Sequence, residues 1–402
     1  MDMGTWIRGP VGDEAMGRLT RTGCRSVLVV VPTVTAGNRL LDVIPLLDGD
    51  HRVQVVFTAP RTEDVWHGLD AFVHACGAVV LPWAQAIRQN WDLVLCADED
   101  HMARVRGDVL LLAHGAGLAK SRRRSRMVAG ATLPSTGLDR ELLVHRGRVV
   151  PAAVAVSTDA ELALLGEICP EARGIGFVAG DVCLDRMLAS CQLRGHYRAA
   201  LGVADGEELI TVSSTWSPDS TFGRHPALYE RLLRETGARP RKVAAVIHPN
   251  VWAVHGPWQI RSWLARAIGL GLVVVPPERG WQAAIVASDV VIGDHGSTSV
   301  YGAALGGRMC LAAFPDDNIR HGSVADVVRR VVPRLDLRRP LAPQLAALGR
   351  VADTAGIRAA ITSAPGTAAA RIRTAMYRLL GLPEPGWPAP VSPVQSPVGV
   401  AA

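Results

Sequence analysis

The sequence DVVIGDHGSTSVYG, from Asp289 to Gly302, decides the fold class of the chain. It opens with the β-branched run Val290–Ile292, which is typical of a short strand buried on both faces. Gly293 and Gly296 then free the backbone for a tight turn, and one hydroxyl of Ser297–Ser299 is expected to cap a helix. A strand, a glycine turn and a helix start predict a phosphate site, because free N–H groups and the helix dipole favour an anion. An ordinary strand-to-helix turn is the alternative.

Length, charge and cysteine content limit the class of protein. A chain of 402 residues predicts two domains. The formal net charge of +6 favours anionic partners such as phosphates, nucleic acid or an acidic membrane surface. The seven cysteines form no C-x-x-C pair, which predicts reduced thiols in a cytoplasmic protein. No apolar run approaches the roughly 20 residues that span a bilayer, and the N-terminus has no signal-peptide pattern.

Short apolar runs alternate with helix-length segments along both halves of the chain, such as Asn38–Leu47 in the first half and Ile260–Ile268 in the second. This alternation predicts βαβ units and a parallel sheet in each half, so the fold class is α/β. Ligands of such sheets bind at the carboxyl ends of the strands, and we expect the site in a cleft between two domains. The predicted strands are 26–31, 52–58, 78–81, 92–97, 108–113 and 152–156, then 209–213, 242–247, 272–275, 289–292 and 309–312.

The domain organisation follows from changes in composition. We predict a flexible N-terminus over 1–23, a first Rossmann-like domain over 24–192 and a second over 205–366. A last helix is predicted over 367–381. The stretch 383–402 is rich in proline and almost uncharged, which predicts a disordered tail.

Three histidines, His114, His248 and His295, each lie at the carboxyl end of a predicted strand. A histidine in this position can meet a substrate, and its pKa near neutrality suits a general base. Each one alone is more simply explained as a histidine bonded within its turn. Three of them at one predicted cleft favour a functional site.

Two further stretches could contact an anionic substrate. Ser213, Ser214 and Thr215 end the first strand of the second half and could line a phosphate or cap the turn. Lys120–Arg126 carries five positive charges in seven residues. This run could contact a phosphate or an acidic membrane surface, or it could be exposed only to solvent. The run lacks the aromatic residues that stack on single-stranded nucleic acid, so we expect no nucleic-acid partner.

Several common catalytic patterns do not occur in the sequence. There is no P-loop, no G-x-S-x-G and no H-E-x-x-H motif. No carboxylate pair stands out as the acid and base of a glycosidase. The spacing of the three histidines favours no metal, and we predict neither a metal nor another cofactor.

Five short motifs occur in an order that resembles the CDP-glycerol glycerophosphotransferase family, which polymerises teichoic acids. More broadly, they resemble the GT-B superfamily, which includes UDP-N-acetylglucosamine 2-epimerases. The resemblance covers roughly residues 24–380. The motifs are His114-Gly115 with Lys120, Gly180-Asp181 with Asp185-Arg186, Ser213–Thr215 with Trp216, His248-Pro249, and Asp294–Ser297.

The resemblance implies a GT-B fold of two facing Rossmann-like domains. The first would hold the acceptor, the second would hold most of the nucleotide, and the last helix would cross back to the first. His114 would deprotonate the acceptor hydroxyl, with Gly115 and Lys120 as further acceptor or phosphate contacts. His248 would contact the donor diphosphate, and the other implied donor contacts are Ser213, Ser214, Thr215, Asp294, His295, Gly296, Ser297 and Thr298.

We therefore expect a cytoplasmic transferase, peripheral at the inner membrane face, that moves a glycerophosphoryl or glycosyl group. The donor would be a nucleotide-diphosphate compound such as CDP-glycerol, and the acceptor a hydroxyl. Asp294–Ser297 replaces the family's Asp-Tyr-Ser motif, which leaves donor and acceptor open. The first alternative is a nucleotide-sugar glycosyltransferase or a UDP-N-acetylglucosamine 2-epimerase-like enzyme, although Ala116 and Ser299 replace the acidic residues of the epimerase. The second is a non-catalytic nucleotide-binding scaffold of the same fold.

Overall fold

The protein has two compact units, each with its own parallel sheet. The computed structural model describes residues 6–11, 15, 19–60, 68–113, 115–117, 138–235 and 240–397. Of these, the first unit takes the residues up to Gly115, 138–183 and 362–391, and the second takes 116–117, 184–361 and 392–397.

The first unit is built on a seven-stranded parallel sheet with the order β3-β2-β1-β4-β5-β8-β9. All six strands predicted for the first half form, because their apolar runs are buried on both faces of the sheet. Strand β9 and a small β6–β7 hairpin were not predicted. The strands are β1 Arg25–Val30, β2 Val53–Ala59, β3 Val80–Pro82, β4 Asn90–Cys96, β5 Arg106–Leu112, β6 Val144–His145, β7 Arg148–Val149, β8 Ala153–Val156 and β9 Gly176–Val178.

The helices of the first unit cover this sheet, and the first one begins earlier than predicted. The Thr33 side chain accepts a hydrogen bond from the N–H of Ala36 (3.1 Å), so the helix begins at Val34 rather than at Asn38. The helices are α1 Val34–Val43, α2 Leu69–Ala75, α3 Trp83–Ala86, α4 Arg140–Leu143, α5 Asp159–Ile168 and α6 Val182–Ala189, which runs into the second unit.

The second unit is built on a five-stranded parallel sheet with the order β12-β11-β10-β13-β14. Its five strands all coincide with predicted runs. The chain starts at the centre with β10, moves outward through β11 and β12, and then returns to the other side of β10. The strands are β10 Glu208–Ser214, β11 Arg241–Ile247, β12 Val273–Val274, β13 Val290–Gly293 and β14 Arg308–Leu311.

The helices of the second unit include one that begins eleven residues before the predicted Ile260. This helix, α10, begins at Pro249 and is interrupted at Gly256, whose φ of 78° and ψ of 151° are not helical, so Pro257 opens a second helical segment. The helices are α7 Arg194–Ala200, α8 Thr221–Arg224, α9 Leu228–Arg234, α10 Pro249–Gly269, α11 Trp281–Ala287, α12 Ser297–Leu305, α13 Val324–Val331, α14 Leu341–Ala347 and α15 Thr354–Ile361.

The last helix, α16 (Ala368–Leu380), belongs to the first unit and packs in its core. Ile372, Met376 and Leu380 recur every fourth residue, which places them on one apolar face. None of the described helices is both long enough and apolar enough to cross a membrane.

The stretch that was predicted to be a disordered tail differs from that expectation over 383–397. The carbonyl of Pro383 accepts a hydrogen bond from Arg52 (2.9 Å), and that of Val394 accepts one from the Tyr197 hydroxyl (2.9 Å). Val394 is also buried. Proline removes backbone donors but leaves every carbonyl available, so a proline-rich segment can bind through its acceptors. Residues 398–402 lie outside the described part of the chain.

Candidate functional site

The candidate site lies at the carboxyl edge of the second sheet, where the order of strands reverses. β10 pairs with β11 on one side and with β13 on the other. The segments that follow these three strands are therefore neighbours at one edge. They carry Ser213–Thr215, His248 and Asp294–Thr298, which are the donor-contacting residues predicted for this half. Open parallel sheets bind their ligands at such a reversal point.

Asp294 is the residue that joins two of these segments. Its carboxylate is buried, and its Oδ2 accepts hydrogen bonds from the N–H groups of Thr215 (2.8 Å) and Thr221 (3.0 Å). Its Oδ1 accepts a hydrogen bond from the N–H of Gly296 (2.9 Å). The carboxylate thus fixes the loop after β10, the start of α8 and its own turn. Because a carboxylate repels phosphate, Asp294 shapes the site rather than binding the donor phosphates directly.

Ser214 and Ser299 stabilise the same loops through their side chains. The Ser214 hydroxyl donates to the carbonyl of Thr215 and accepts from the N–H of Phe222, at 2.9 and 2.8 Å. The Ser299 hydroxyl accepts a hydrogen bond from the N–H of Asp294 (2.9 Å). Both hydroxyls hold the backbone, so they are not available to a ligand in this arrangement.

The two glycines of the turn are required because a side chain would collide with neighbouring atoms, not because the backbone is left-handed. Neither Gly293 nor Gly296 has a positive φ. A Cβ at Gly293 would lie 2.2 Å from the Ser299 hydroxyl, and one at Gly296 would lie 3.1 Å from the Thr215 Cβ. Gly293 therefore allows Ser299 of α12 to pack close to the end of β13, and Gly296 allows the loops after β10 and β13 to approach each other closely.

The start of α12 differs from the predicted hydroxyl cap. The N-cap residue is Gly296, and no side chain caps the helix. The first N–H groups of the helix, on Ser297 and Thr298, have no acceptor within the helix itself. Both residues are partly exposed, so these groups and the helix dipole are accessible to an anion. The Ser297 hydroxyl accepts a hydrogen bond from the N–H of Ala116 (3.2 Å).

His248 is partly exposed and caps the helix α10 that follows it. Its Nδ1 accepts a hydrogen bond from the N–H of Asn250 (3.1 Å). A neutral imidazole that accepts at Nδ1 carries its hydrogen on Nε2. The second nitrogen of His248 is therefore a donor, which suits a contact with a phosphate oxygen.

Five of the predicted donor contacts are buried: Ser213, Ser214, Thr215, Asp294 and His295. His295 is only 2% exposed, and its ring packs edge-on against Phe314 at a centroid distance of 6.3 Å. The accessible groups of the cluster are therefore His248 and the start of α12.

Some predicted residues of the first half are not covered by the structure. His114, Lys120 and the whole run Lys120–Arg126 lie outside the described residues, so their roles stay predictions. Gly115 is described and partly exposed. Among the residues that the structure describes, no group of three or more His, Cys, Asp or Glu side chains could hold a metal ion.

Sequence reasoning missed two features of the site. One is the bond between Asp294 and Thr221, which brings the start of α8 to the turn. The other is the exposure of Trp216, the residue of the third motif that directly follows Thr215, whose side chain is 52% exposed. The signal in the sequence is an aromatic residue next to three hydroxyl residues, but the sequence does not show that this aromatic side chain is exposed.

The fold is similar to that of several solved enzymes. A histidine variant of the wall teichoic acid polymerase TagF, soaked with CDPG, aligns with 89% of this chain and 88% of that chain at 9% identity and a TM-score of 0.55. Another TagF variant covers 90% of both chains at 9% identity and the same TM-score. MnaA of S. aureus in complex with UDP aligns with 92% of this chain and 100% of that chain, at 13% identity and a TM-score of 0.52.

Identities this low show the fold alone. The fold of the chain is the GT-B fold, as the sequence predicts. No protein-family model matches the sequence, and no curated protein matches it.

Proposed function

We propose that the protein is a transferase that moves a glycerophosphoryl group from CDP-glycerol, or a glycosyl group from a related nucleotide-diphosphate donor, to a hydroxyl acceptor. One observation carries this proposal: His248 and the start of α12 follow the strands that flank β10. Together they place a partly exposed imidazole and the uncapped start of a helix at one edge of the sheet, where both favour an anion. Support for the donor class comes from TagF, which was soaked with CDPG, and from MnaA, which holds UDP.

The proposed step is an in-line displacement. The acceptor oxygen attacks the phosphorus that carries glycerol, the bond from that phosphorus to the bridging oxygen breaks, and CMP leaves with the electron pair. The acceptor proton passes to His114, the predicted base. Negative charge grows on the leaving phosphate, and preorganised donors at His248 and at the start of α12 would stabilise it there. Asp294 would contribute by holding those loops in place.

A uridine donor is the second candidate. The fold similarity to MnaA bound to UDP supports it, and it would fit a glycosyltransferase or a nucleotide-sugar epimerase. A non-catalytic scaffold would share the nucleotide site but would perform no turnover. Donor identity and turnover are therefore measured separately.

The first experiment is a thermal-shift panel of CDP-glycerol, CMP, CDP, UDP, UDP-sugars and GDP-sugars. A ligand that binds only the folded state stabilises it by about 2.7 kcal/mol at one hundred times its dissociation constant. We expect the largest shift with cytidine compounds. A preference for uridine compounds would select the second candidate, and the absence of any shift would contradict the nucleotide site.

Two substitutions of His248 separate ligand binding from helix capping. His248→Ala removes both roles, whereas His248→Asn keeps an acceptor for the N–H of Asn250 and removes the Nε2–H donor. Both variants should lose most of the nucleotide shift, while His145→Ala, an exposed histidine of the β6–β7 hairpin, should keep it. A full shift in His248→Asn would mean that His248 only caps α10.

Turnover distinguishes an enzyme from a scaffold. We expect His114→Ala to lose CMP release from CDP-glycerol in the presence of a hydroxyl acceptor while it keeps the nucleotide-induced shift. Native protein that binds the nucleotide but releases no CMP with any acceptor would favour the scaffold.

A further inference from the structure

Trp216 is a large aromatic residue that lies exposed at the carboxyl edge of the second sheet. Its side chain is 52% exposed, whereas the three hydroxyl residues before it, Ser213–Thr215, are buried. In the described structure its indole makes no hydrogen bond and no ring contact, although the rings of Trp263 and Trp281 each pack against another ring. A single exposed apolar side chain is common on a protein surface, so exposure alone does not mark a site. The position and the support of this residue decide its role.

Trp216 follows β10, the strand that lies between the two groups assigned above to the donor phosphates. On one side of the turn, the carbonyl of Ser214 accepts a hydrogen bond from the N–H of His248 (3.0 Å). On the other side, Thr215 lies against Gly296, the N-cap residue of α12, where an added Cβ would be 3.1 Å from the Thr215 Cβ. Because consecutive Cα atoms are about 3.8 Å apart, Trp216 lies close to both groups.

The backbone on both sides of Trp216 is held in place. The N–H of Thr215 donates to Oδ2 of the buried Asp294 (2.8 Å). The carbonyl of Ser217 accepts a hydrogen bond from the N–H of Ser220 (2.9 Å), which closes the turn after the indole. An aromatic side chain on a fixed backbone has few torsions left to order, so a flat ligand that packs on it costs little conformational entropy.

We propose that Trp216 is the surface on which the base of the donor nucleotide stacks. This role rests on the proposed function, in which the diphosphate lies at His248 and the start of α12. The base is joined to the diphosphate through one ribose, which places it close to the turn that carries the indole. Every nucleobase has a π-face, and an indole offers a large flat face to pack against it.

Stacking on Trp216 has a consequence for the choice of donor. Base–aromatic stacking tolerates every base, because it uses the face of the ring and not the hydrogen-bonding edge. We therefore expect Trp216 to raise the affinity for cytidine and uridine nucleotides by similar factors. Selection between them requires other groups that contact the edge of the base.

The test is titration calorimetry of the full chain with CDP, UDP and inorganic pyrophosphate. Trp216→Leu keeps an apolar side chain but removes the flat ring, so it should weaken CDP and UDP binding by similar factors, about tenfold each. Its affinity for pyrophosphate, which has no base, should equal that of native protein. Trp216→Phe keeps a ring and should retain CDP affinity to within about threefold.

Tryptophan fluorescence distinguishes a contact with the base from support of the turn. A base that stacks on an indole quenches its emission, so CDP should quench part of the emission of native protein. Trp216→Phe should bind CDP without this component of the quench. Trp258→Phe is the matched control, because it removes an indole of the same unit that is 76% exposed, and it should keep both the affinity and the quench.

The outcomes separate the role of Trp216 from the proposed function. Equal CDP affinity of Trp216→Leu and native protein would overturn the stacking role and leave the nucleotide site standing. An equal loss of CDP and pyrophosphate affinity would also overturn it, because the indole would then support the turn rather than the base. The same holds if Trp216→Phe keeps the full quench. Native protein that binds no nucleotide would contradict both the stacking role and the proposed function. Circular dichroism checks that each variant folds.

Discussion

At the scale of single residues, Asp294 determines which groups of the site remain available. Its carboxylate already accepts the N–H groups of Thr215, Thr221 and Gly296. These donors would otherwise be candidates for a phosphate. Because Asp294 already takes these three backbone donors, we expect a phosphate at this edge to lie against the start of α12, whose first N–H groups have no acceptor within the helix.

We predict that Asp294→Asn lowers the free energy of unfolding by about 2 kcal/mol. The amide keeps one acceptor oxygen but places an NH₂ group against at least one backbone N–H that the carboxylate had satisfied. Urea unfolding followed by circular dichroism measures the change. Ser297→Ala is the control, because the Ser297 hydroxyl accepts only the Ala116 N–H in the described structure, and it should cost less than about 1 kcal/mol. Equal stability of Asp294→Asn and native protein would contradict the role of the carboxylate.

The sequence identified the turn but not the hydrogen bonds that connect it to other segments. Residues 293–298 could be read as a glycine turn before a helix because the signal is local. The partners of Asp294 lie 79 and 73 positions earlier in the chain, and no local pattern connects them. The predicted hydroxyl cap of α12 was wrong for the same reason, because the hydroxyls have partners outside the first turn of the helix. The Ser299 hydroxyl accepts from the N–H of Asp294, and the Ser297 hydroxyl accepts from the N–H of Ala116.

At the scale of elements, α16 is attached to the first unit by a polar contact as well as by its apolar face. The Tyr377 hydroxyl donates to Oδ2 of Asp50 (2.8 Å), and Arg52 binds both oxygens of the same carboxylate through its side chain. The Arg52 guanidinium, the Arg52 N–H and the Tyr377 hydroxyl hold the pKa of Asp50 well below its ordinary value, although burial opposes this. The carboxylate therefore stabilises the docked helix while it is ionised.

We predict that Asp50→Asn lowers the free energy of unfolding by about 2 kcal/mol at neutral pH. Because the folded-state pKa of Asp50 is depressed, its contribution is complete above the unfolded-state pKa of about 3.9 and is lost as pH falls below it. The difference between native protein and the variant should therefore shrink as pH falls from about 5 to 2.

Urea unfolding at a series of pH values measures this difference. The comparison is Asp205→Asn, which removes an exposed carboxylate from a turn of the second unit and should change stability little at neutral pH. A gap for Asp50→Asn that stays constant or widens in acid would show that ionised Asp50 does not stabilise the fold.

The regular elements were predictable to different degrees. Strands such as β1 and β11 are apolar runs buried on both faces, and their composition alone indicates them. Strand β9 was missed because it has three residues and begins with Gly176. The prediction that began at Ile260 covers most of the segment after Gly256 and misses the one before it. Gly256 and Pro257 do interrupt the helix here, because the backbone of Gly256 is not helical and Pro257 opens the second segment.

At the scale of the whole molecule, the chain passes between the two units more than once. It leaves the first unit after Gly115 and is back in it at Leu138, leaves it again after Cys183, returns to it at Thr362 and leaves it once more after Val391. The composition predicted one boundary between residues 192 and 205, and the resemblance implied a second passage, in which the last helix crosses back to the first domain. Composition detects a turn-rich segment, but it does not show which core the flanking residues join.

The end of the chain is accordingly part of the second unit. The Arg186 side chain donates to the carbonyls of Ser392 (2.9 Å) and Pro393 (3.1 Å). Val394 is 3% exposed, its N–H donates to Ser190, and its carbonyl accepts from Tyr197, each at 2.9 Å. These contacts lie at a position that composition alone assigns to disorder.

We predict that a chain ending at Val391 is less stable than the native chain by about 3 kcal/mol. The truncation removes the buried Val394 side chain and leaves the buried Tyr197 hydroxyl without its acceptor. A chain ending at Pro397 keeps every contact of Ser392, Pro393 and Val394 and is the matched control. Thermal and urea unfolding of the three chains measure the difference. If the chain ending at Val391 unfolds like the native protein, the segment after Val391 does not contribute to the second unit and the composition-based prediction of a disordered tail is right.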